Sequence, residues 1–557
     1  MTERIWLTRY PAGVPADIDL TQCGSLIELI ETGFHTHSHR VAYSFMGRDI
    51  SYKQADSLSR ACGAYLQSLG LVKGDRVAVM MPNVPQYPVV VAAVLRAGLV
   101  LVNVNPLYTA RELEHQLKDS GAKAIVILEN FASTLEKCLA ATAVNHVVLC
   151  AMGDLLGLFK GTLVNYAVRH ARKLVPPFNL PGAVRFNEAV ARGAAGTLGK
   201  PTISGDDMAV LQYTGGTTGL SKGAVLLHRN LAANVLQNTV WAQPLLDTIP
   251  QDEQPTIVCA LPLYHIFAFT YCMMMAMRVG GQLILIANPR DMTGMLRDLS
   301  RHTFHVMPAV NTLFNGMLNH PDFSTVNWSH LVAATGGGTA VQSAVAKMWL
   351  EKTGKPILEG YGLSETSPTV SGNPADTTEF SGSIGVPMPN TWMKLLDDDG
   401  LDAEPGVPGE IAVRGPQVMA GYWQRPDETA KAMTPDGYFK TGDIGVMDDR
   451  GYFRIVDRKK DMVLVSGFNV YPTEIEEVVS QLPGVMECAC IGVSDPNTGE
   501  AVKLFIVKKD PALTEAMVRA HCKTNLTGYK QPKSIEFRAE LPKTPVGKIL
   551  RRELRDK

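Results

Sequence analysis

Short apolar strands alternate with helical segments along most of the chain, and this alternation is the strongest constraint on its fold. Strand candidates at 41–45, 76–80, 99–103 and 124–128 are separated by segments in which apolar residues recur with helical spacing. This pattern predicts an α/β architecture with a largely parallel sheet. Because 557 residues exceed the size of one ordinary hydrophobic core, we expect more than one domain.

The second half of the chain predicts further units. The strand pattern resumes at 282–286 and 306–308, and from about Trp392 short strands between Gly, Pro and Asp turns indicate a small, β-barrel-like section. The last hundred residues read as a separate α+β domain. The prediction is a large N-terminal domain of two α/β subdomains and the β section, followed by a small mobile C-terminal domain. The predicted bounds are 1–457 for the large domain, 458–461 for a hinge in a run of charged residues, and 462–557 for the C-terminal domain.

The composition argues against several classes of protein. A formal net charge of -1 gives no indication of a nucleic-acid partner. The nine cysteines are scattered without a Cys-x-x-Cys pair, which is typical of a reducing compartment. The N-terminus lacks the apolar region of a secretory signal, so we expect a cytoplasmic protein. An uncharged stretch at 254–277 has the length of a membrane span, but Pro262, Tyr264 and His265 interrupt it, which favours a buried strand, turn and helix.

A loop rich in glycine and threonine follows the apolar run 208–211. Glycines let a backbone approach a ligand closely, and successive N–H groups can line a concavity that binds anions. The loop is not a Walker motif, because Lys222 is followed by Gly223 and not by Ser or Thr. A polyphosphate site is the functional interpretation, and an ordinary turn between strand and helix is the alternative. The candidate residues are Thr214, Gly215, Gly216, Thr217, Thr218, Gly219 and Lys222.

Four further stretches have the composition of site loops, at 359–366, 437–445, 466–472 and 542–548. Together with the first loop, and in this order, they resemble the motifs of the adenylate-forming enzymes, nearly end to end. Four other segments resemble the bacterial long-chain fatty acid–CoA ligases more specifically. These are the residues 6–12, 102–108, 262–267 and 526–533.

The resemblance implies a reaction in two steps that uses ATP and coenzyme A as co-substrates and Mg²⁺ as cofactor. A medium- to long-chain fatty acid is first converted to an acyl-adenylate with release of pyrophosphate, and the thiol of coenzyme A then takes the acyl group. Three alternatives stay open: a ligase for an aryl or branched acid, a fatty-acid-binding protein that kept the fold, and a luciferase-like oxygenase. Monomer and homodimer are both compatible with the sequence.

The resemblance also assigns roles to single residues. Glu365 would ligate magnesium, and Lys548 would contact the oxygens between the carboxylate and the phosphate. Asp443 and Arg458 would hold the ribose. Residues implied around the nucleotide are Gly336, Gly337, Gly338, Glu359, Gly360, Tyr361, Gly362 and Ser364.

The second step involves the C-terminal domain, which rotates between the two reactions in this family. Lys460 falls at the hinge position, and the turn of Gly467 and Phe468 would open the path for coenzyme A. His265 is interpreted either as a neighbour of the substrate carboxylate or thiol, or as a buried core histidine. Trp241 and Phe269 are candidates for the acyl pocket, although apolar residues of this kind are more often plain core.

The segment 154–178 combines Leu, Phe and Val with several basic residues. A basic amphipathic helix can lie on an anionic membrane surface, here the inner face of the cytoplasmic membrane. The alternative is that its apolar side packs on the domain.

Overall fold

Two mixed sheets form the framework of the large domain in the computed structural model, which describes residues 4–214, 221–404, 406–466, 468–496, 498–544 and 547–555. Six residues predicted to line the site, Gly215, Gly216, Thr217, Thr218, Gly219 and Gly467, lie outside the described residues. Most inner strands of both sheets are parallel, and antiparallel strands close both edges of the first sheet and one edge of the second, so the predicted α/β class is confirmed. The strands Val41–Phe45, Arg76–Met80 and Ala124–Leu128 have the predicted bounds.

The first sheet has nine strands and the second has eight. The order in the first sheet is Val386–Pro387, Thr369–Gly372, Ile357–Gly362, Ala333–Gly336, Val306–Ala309, Thr256–Cys259, Gln282–Leu285, Val41–Phe45 and Arg48–Ser51. The order in the second sheet is Gly421–Tyr422, Lys222–Leu227, Met208–Thr214, Val100–Asn103, Arg76–Met80, Ala124–Leu128, His146–Cys150 and Val184–Arg185.

Helices cover the two sheets and bury their apolar sides in a core shared between both sheets. The α-helices of the large domain are Leu26–Thr36, Tyr52–Ser68, Gln86–Arg96, Ala110–Ser120, Ala132–Glu136, Leu158–Tyr166, Phe186–Ala194, His228–Leu246, Met275–Val279, Met292–Leu299, Asn311–Leu318, Ser343–Thr353 and Pro426–Ala432. Two wider, π-type helical turns are Ala167–Ala171 and Ala268–Met274.

The glycine- and threonine-rich loop joins two antiparallel strands, Met208–Thr214 and Lys222–Leu227, in which Thr214 lies opposite Lys222. The alternative of an ordinary turn between strand and helix is therefore wrong, because the loop leads into a second strand. The apolar residues after Gly223 pair with the first strand before the helix begins at His228. Both ends of the loop are thus fixed in one hairpin.

The uncharged stretch is a buried strand, Thr256–Cys259, followed by a turn and a buried helix, as predicted. Across the parts of the chain that the structure describes, no helix has both the length and the apolar character to cross a bilayer.

The small β section is an antiparallel sheet of four strands that packs on the edge of the first sheet. Its strands are Trp392–Leu396, Gly409–Arg414, Phe439–Met447 and Phe453–Arg458. Phe453 and Ile411 share a buried cluster with Tyr361 and Val370 of the first sheet. Arg458, the first residue of the predicted hinge, is the last residue of this section.

The C-terminal domain is a five-stranded sheet with three helices. Its strands are Val463–Val465, Phe468–Val470, Val485–Asp495, Gly499–Lys508 and Ser534–Arg538. Its helices are Pro472–Ser480, Glu515–Asn525 and Arg551–Arg555. Cys488 and Cys490 face the same core, as their alternation predicts. All nine cysteines of the chain are buried and unpaired.

Candidate active site

Lys548 reaches from the C-terminal domain into the large domain. A β-carbon placed on Gly338 would lie 3.5 Å from its Cε and 3.9 Å from its Nζ. The lysine sits on a tight turn in which its N–H donates to Thr544 Oγ1 at 3.0 Å. Thr312 of the large domain donates to the carbonyl of Gly547 at 3.2 Å. These contacts dock the turn against the glycine residues that end the strand Ala333–Gly336.

The environment of Lys548 is buried and charged. Burial and the neighbouring Arg458 lower the pKa of its ammonium group while Asp443 and Glu365 act in the opposite direction, and the net pKa is about 8. These four residues come from three separate parts of the sequence, and the structure brings their charges close enough to interact.

Asp443 and Tyr361 form a buried pair in which the tyrosine hydroxyl donates to Asp443 Oδ2 at 2.6 Å. Arg458 lies opposite Asp443 in the small sheet, and its Nε is 3.4 Å from Asp443 Oδ1. The sheet register therefore fixes the carboxylate between a hydroxyl and a guanidinium group. A carboxylate held in this way can accept hydrogen bonds from a diol.

Glu365 lies in the short helical turn Ser364–Thr366 between two strands of the first sheet. Burial raises the pKa of its carboxyl, and the hydrogen bond from Tyr422 Oη to Glu365 Oε1, at 2.8 Å, lowers it. A carboxylate oxygen is the donor that Mg²⁺ prefers, since this ion takes one or two carboxylates and fills its other positions with phosphate oxygens and water. The residues present therefore fit a magnesium ion.

Two glycines of the site, Gly337 and Gly362, lie where a side chain would collide with its neighbours. A β-carbon on Gly337 would lie 2.9 Å from Phe267 Cε1, and one on Gly362 would lie 1.9 Å from the carbonyl oxygen of Pro368. The backbone at these points is thus packed against its neighbours, and the adjacent Gly360 continues the same strand.

Glu359 is a buried acid whose pKa burial raises to about 8. Its Oε1 accepts a hydrogen bond from the N–H of Val341 at 2.9 Å, and its carbonyl oxygen accepts from the Asn373 side chain at 3.0 Å. At neutral pH the side chain is mainly protonated, so it can both donate and accept a hydrogen bond.

His265 is buried, and burial together with the charge of Lys548 lowers its pKa to about 3. Its Nδ1 accepts from the N–H of Phe267 at 3.3 Å. The ring is therefore neutral at physiological pH, and its proximity to Lys548 agrees with the interpretation of His265 as a site residue.

Lys222 is the first residue of the second hairpin strand, directly after the loop. Its side chain pairs with the carboxylate of Glu428. Its Nζ also lies 5.3 Å from the ring centroid of Tyr422, the residue that binds Glu365. No role was predicted from the sequence for Tyr422 or Glu428. Gly421 and Tyr422 form a short strand that pairs with the second strand of the hairpin. In the sequence, the aromatic residue directly after a glycine was the one pattern that could have marked Tyr422 as a site residue.

The residues predicted for the acyl pocket do not lie in one cluster. Phe269 is fully buried in the core between the two sheets. Trp241 instead packs with Tyr10 in a T-shaped contact at 5.1 Å between ring centroids, and its Nε1 donates to the carbonyl of Asn373 at 3.1 Å. Trp241 thereby anchors the N-terminal segment.

The residues predicted for the hinge and the coenzyme path lie in the C-terminal part. Burial lowers the pKa of Lys460 to about 8, and Arg458 adds to this effect. Phe468 is 55% exposed. Its ring stacks on Tyr529 with 4.8 Å between the centroids.

Comparison with known proteins places this arrangement in a family. The model of the AMP-binding enzyme family matches residues 30–423, and that of the AMP-binding enzyme C-terminal domain matches residues 474–548. The chain belongs to the AMP-binding enzyme family. This AMP-binding enzyme is 54% identical over 555 residues to a long-chain-fatty-acid–CoA ligase of Escherichia coli O157:H7, covering 100% of this chain and 98% of the relative.

A further sequence relative and a solved structure also match nearly the whole chain. A long-chain-fatty-acid–CoA ligase of Bacillus subtilis strain 168 is 35% identical, covering 99% of this chain and 98% of the relative. The crystal structure of ATP-bound MatB from Rhodopseudomonas palustris superposes with a TM-score of 0.79 at 28% identity, covering 96% of this chain and 98% of that one. The match to both domains confirms the fold predicted from the sequence.

The low pKa of Lys548 predicts how nucleotide binding depends on pH. Below pH about 8 the ammonium group is charged and attracts phosphate, and above that value it becomes neutral. We expect the affinity of the AMP-binding enzyme for ATP to fall by about tenfold as this charge is lost. Titration calorimetry across this pH range is the measurement.

Two variants test whether the fall in ATP affinity comes from Lys548. Lys548→Arg keeps its charge and should abolish the fall. Lys460→Gln should retain the fall, although the pKa of Lys460 is also about 8. An unchanged fall in Lys548→Arg would contradict the assignment.

Proposed function

We propose that the chain is an ATP-dependent fatty acid–CoA ligase that activates a medium- to long-chain fatty acid as acyl-AMP and transfers the acyl group to coenzyme A. The observation that carries the proposal is the docking of Lys548 beside Gly338, within reach of the charges of Glu365, Asp443 and Arg458. Fatty-acid ligases that match the whole chain support the choice of substrate class.

In the first step a carboxylate oxygen attacks the α-phosphorus of ATP, and pyrophosphate leaves. Negative charge is redistributed over the phosphates, so positioned cations and N–H donors do most of the catalysis. Lys548 would hold the oxygens between carboxylate and phosphate, and Lys222 would contact the outer phosphates after leaving Glu428. Glu365 would hold Mg²⁺, which neutralises phosphate charge when it is bound.

The nucleoside would be held by groups that are already oriented. Asp443 would accept hydrogen bonds from the ribose hydroxyls, with Arg458 beside it. The adenine would lie along Gly336 to Gly338 and the strand that contains Tyr361. The protonated carboxyl of Glu359, with its pKa of about 8, would lie at the edge of the ring.

In the second step the thiol of coenzyme A attacks the acyl carbon, and AMP leaves. Rotation of the C-terminal domain about Lys460 would withdraw Lys548 and bring the turn at Phe468 to the site, so that the thiol can enter. The neutral ring of His265 would lie beside the reacting carbonyl. Phe269 would border the acyl chain.

The substrate class can be tested by measuring pyrophosphate release with ATP, Mg²⁺ and a panel of short-, medium- and long-chain, branched and aryl acids. We expect release with medium- and long-chain fatty acids, and thioester formation when coenzyme A is added. No release with any acid would reject the enzyme proposal. Release with aryl acids alone would assign another substrate, and release without a thioester would indicate another acceptor.

The role of Lys548 predicts a separation of the two steps. Lys548→Ala should slow adenylate formation by about a hundredfold to a thousandfold, because one group that stabilises transition-state charge is lost. Acyl transfer from supplied acyl-AMP should continue. The matched control is Lys543→Ala, on the same segment, where the lysine pairs with Glu487 at 2.6 Å. Equal loss of both steps in Lys548→Ala would contradict the alternation.

We also propose that this cytoplasmic enzyme contacts the inner face of the membrane through the segment 154–178. Leu158 and Phe159 are 92% and 87% exposed, and Leu163 and Tyr166 are more than half exposed. These four side chains therefore do not pack on the domain, whereas Val164 of the same helix packs against its core. The exposed side chains include Lys160, His170, Arg172 and Lys173, which suit an anionic surface.

Vesicle co-sedimentation tests this surface. Replacing Leu158 and Phe159 with Ser should weaken binding to anionic vesicles by about tenfold or more, because buried apolar side chains supply much of the binding free energy. Leu401→Ser, at a position 67% exposed on another part of the surface, is the control. Unchanged binding of the double variant would refute the proposal.

A further inference from the structure

Asp457 belongs to the large domain by its backbone. It lies in the strand Phe453–Arg458, where it is opposite Ile444 in the small sheet. Its side chain is only 1% exposed, although the hinge begins at the next residue. The position of its carboxylate is therefore set by the large domain and not by the hinge.

The carboxylate of Asp457 faces the C-terminal domain. Its Oδ2 accepts a hydrogen bond from the N–H of Thr473 at 2.8 Å. Thr473 lies in the first turn of the helix Pro472–Ser480, whose own capping residue, Tyr471, makes no side-chain capping bond. Helices leave their first N–H groups without internal partners, and Asp is among the favoured capping residues. Asp457 thus caps this helix from the other domain.

The second carboxylate oxygen contacts Arg551, whose Nη1 is 3.4 Å from Asp457 Oδ1. Arg551 follows Lys548 by three positions. Its guanidinium group also binds Glu476 at 2.7 Å and Asp461 at 3.4 Å, both within the C-terminal part. Asp457 adds a contact from the large domain to this buried ionic cluster, close to the turn that carries Lys548.

We propose that Asp457 is a positioning residue, which holds the C-terminal domain in the orientation that places Lys548 in the site. Its contacts with Thr473 and Arg551 both cross the hinge at 458–461, so rotation about Lys460 must break them. The inference rests on the proposed alternation of the domain. In this proposal Asp457 stabilises one of the two domain orientations and does not contact the substrate.

Asp457→Ala should therefore slow adenylate formation by between about threefold and about thirtyfold, the range expected for loss of a helix cap. Acyl transfer from supplied acyl-AMP should be unchanged or faster. Asp457→Asn keeps an acceptor for Thr473 but loses the charge that faces Arg551, so its loss should be smaller. The two steps are measured separately, as pyrophosphate release without coenzyme A and as thioester formation from acyl-AMP.

The control removes a comparable cap from the same domain. Thr514 accepts from the N–H of Met517 at 3.3 Å at the start of the helix Glu515–Asn525. Thr514→Ala should lower the stability of the domain without separating the two steps. Equal loss of both steps in Asp457→Ala, or the same separation in Thr514→Ala, would overturn the proposal.

A second readout does not depend on activity. The hinge contains Arg458, Lys459 and Lys460, so we expect trypsin to cleave there faster when the domain swings out and frees the hinge backbone. Asp457→Ala should be cut at the hinge faster than the unmodified chain or Thr514→Ala, and equal rates would overturn the proposal. If the unmodified enzyme released no pyrophosphate with any acid, the proposed function would fail, and this cleavage would still decide the role of Asp457.

Discussion

Keeping the positive charge of Lys548 inside a buried cleft is the constraint on which the other parts of the site depend. An ammonium group removed from water loses hydration, which lowers its pKa, and neighbouring negative charge opposes that fall; for Lys548 the net pKa is about 8. The large domain supplies that charge through Glu365 and Asp443. Because the lysine and the acids come from different domains, the site is complete only while the domains are docked. The fraction of molecules in the docked orientation therefore limits how many complete sites are present.

Much of this arrangement could be predicted from the sequence. Parallel strands buried on both faces appear as apolar runs, so the bounds of Val41–Phe45 and Ala124–Leu128 were predicted to the residue. The motifs around Glu365, Asp443 and Lys548 are distinctive enough in order and composition to name the family. Apolar runs and motifs each lie within a short segment, so they can be recognised in a single sequence.

The contacts that were missed are those between distant segments. Nothing near Glu365 in the sequence indicates that Tyr422 binds it, and nothing near Asp457 points to Thr473 or Arg551. Each depends on how strands are ordered in a sheet or how domains dock. Trp241 shows the same limit, because nothing near it in the sequence indicates its contacts with Tyr10 and Asn373.

The burial of the cysteines has a consequence for chemical selectivity. An acyl-adenylate is a strong electrophile, and any thiolate near it would compete with the intended acceptor. All nine thiols of the chain are buried, and burial raises the pKa of Cys62 to about 12 and that of Cys150 well above its ordinary value. Thiols held in this way stay protonated and are poor nucleophiles. The protein thereby protects itself from acylation by its own intermediate and leaves the sulfur chemistry to the incoming coenzyme.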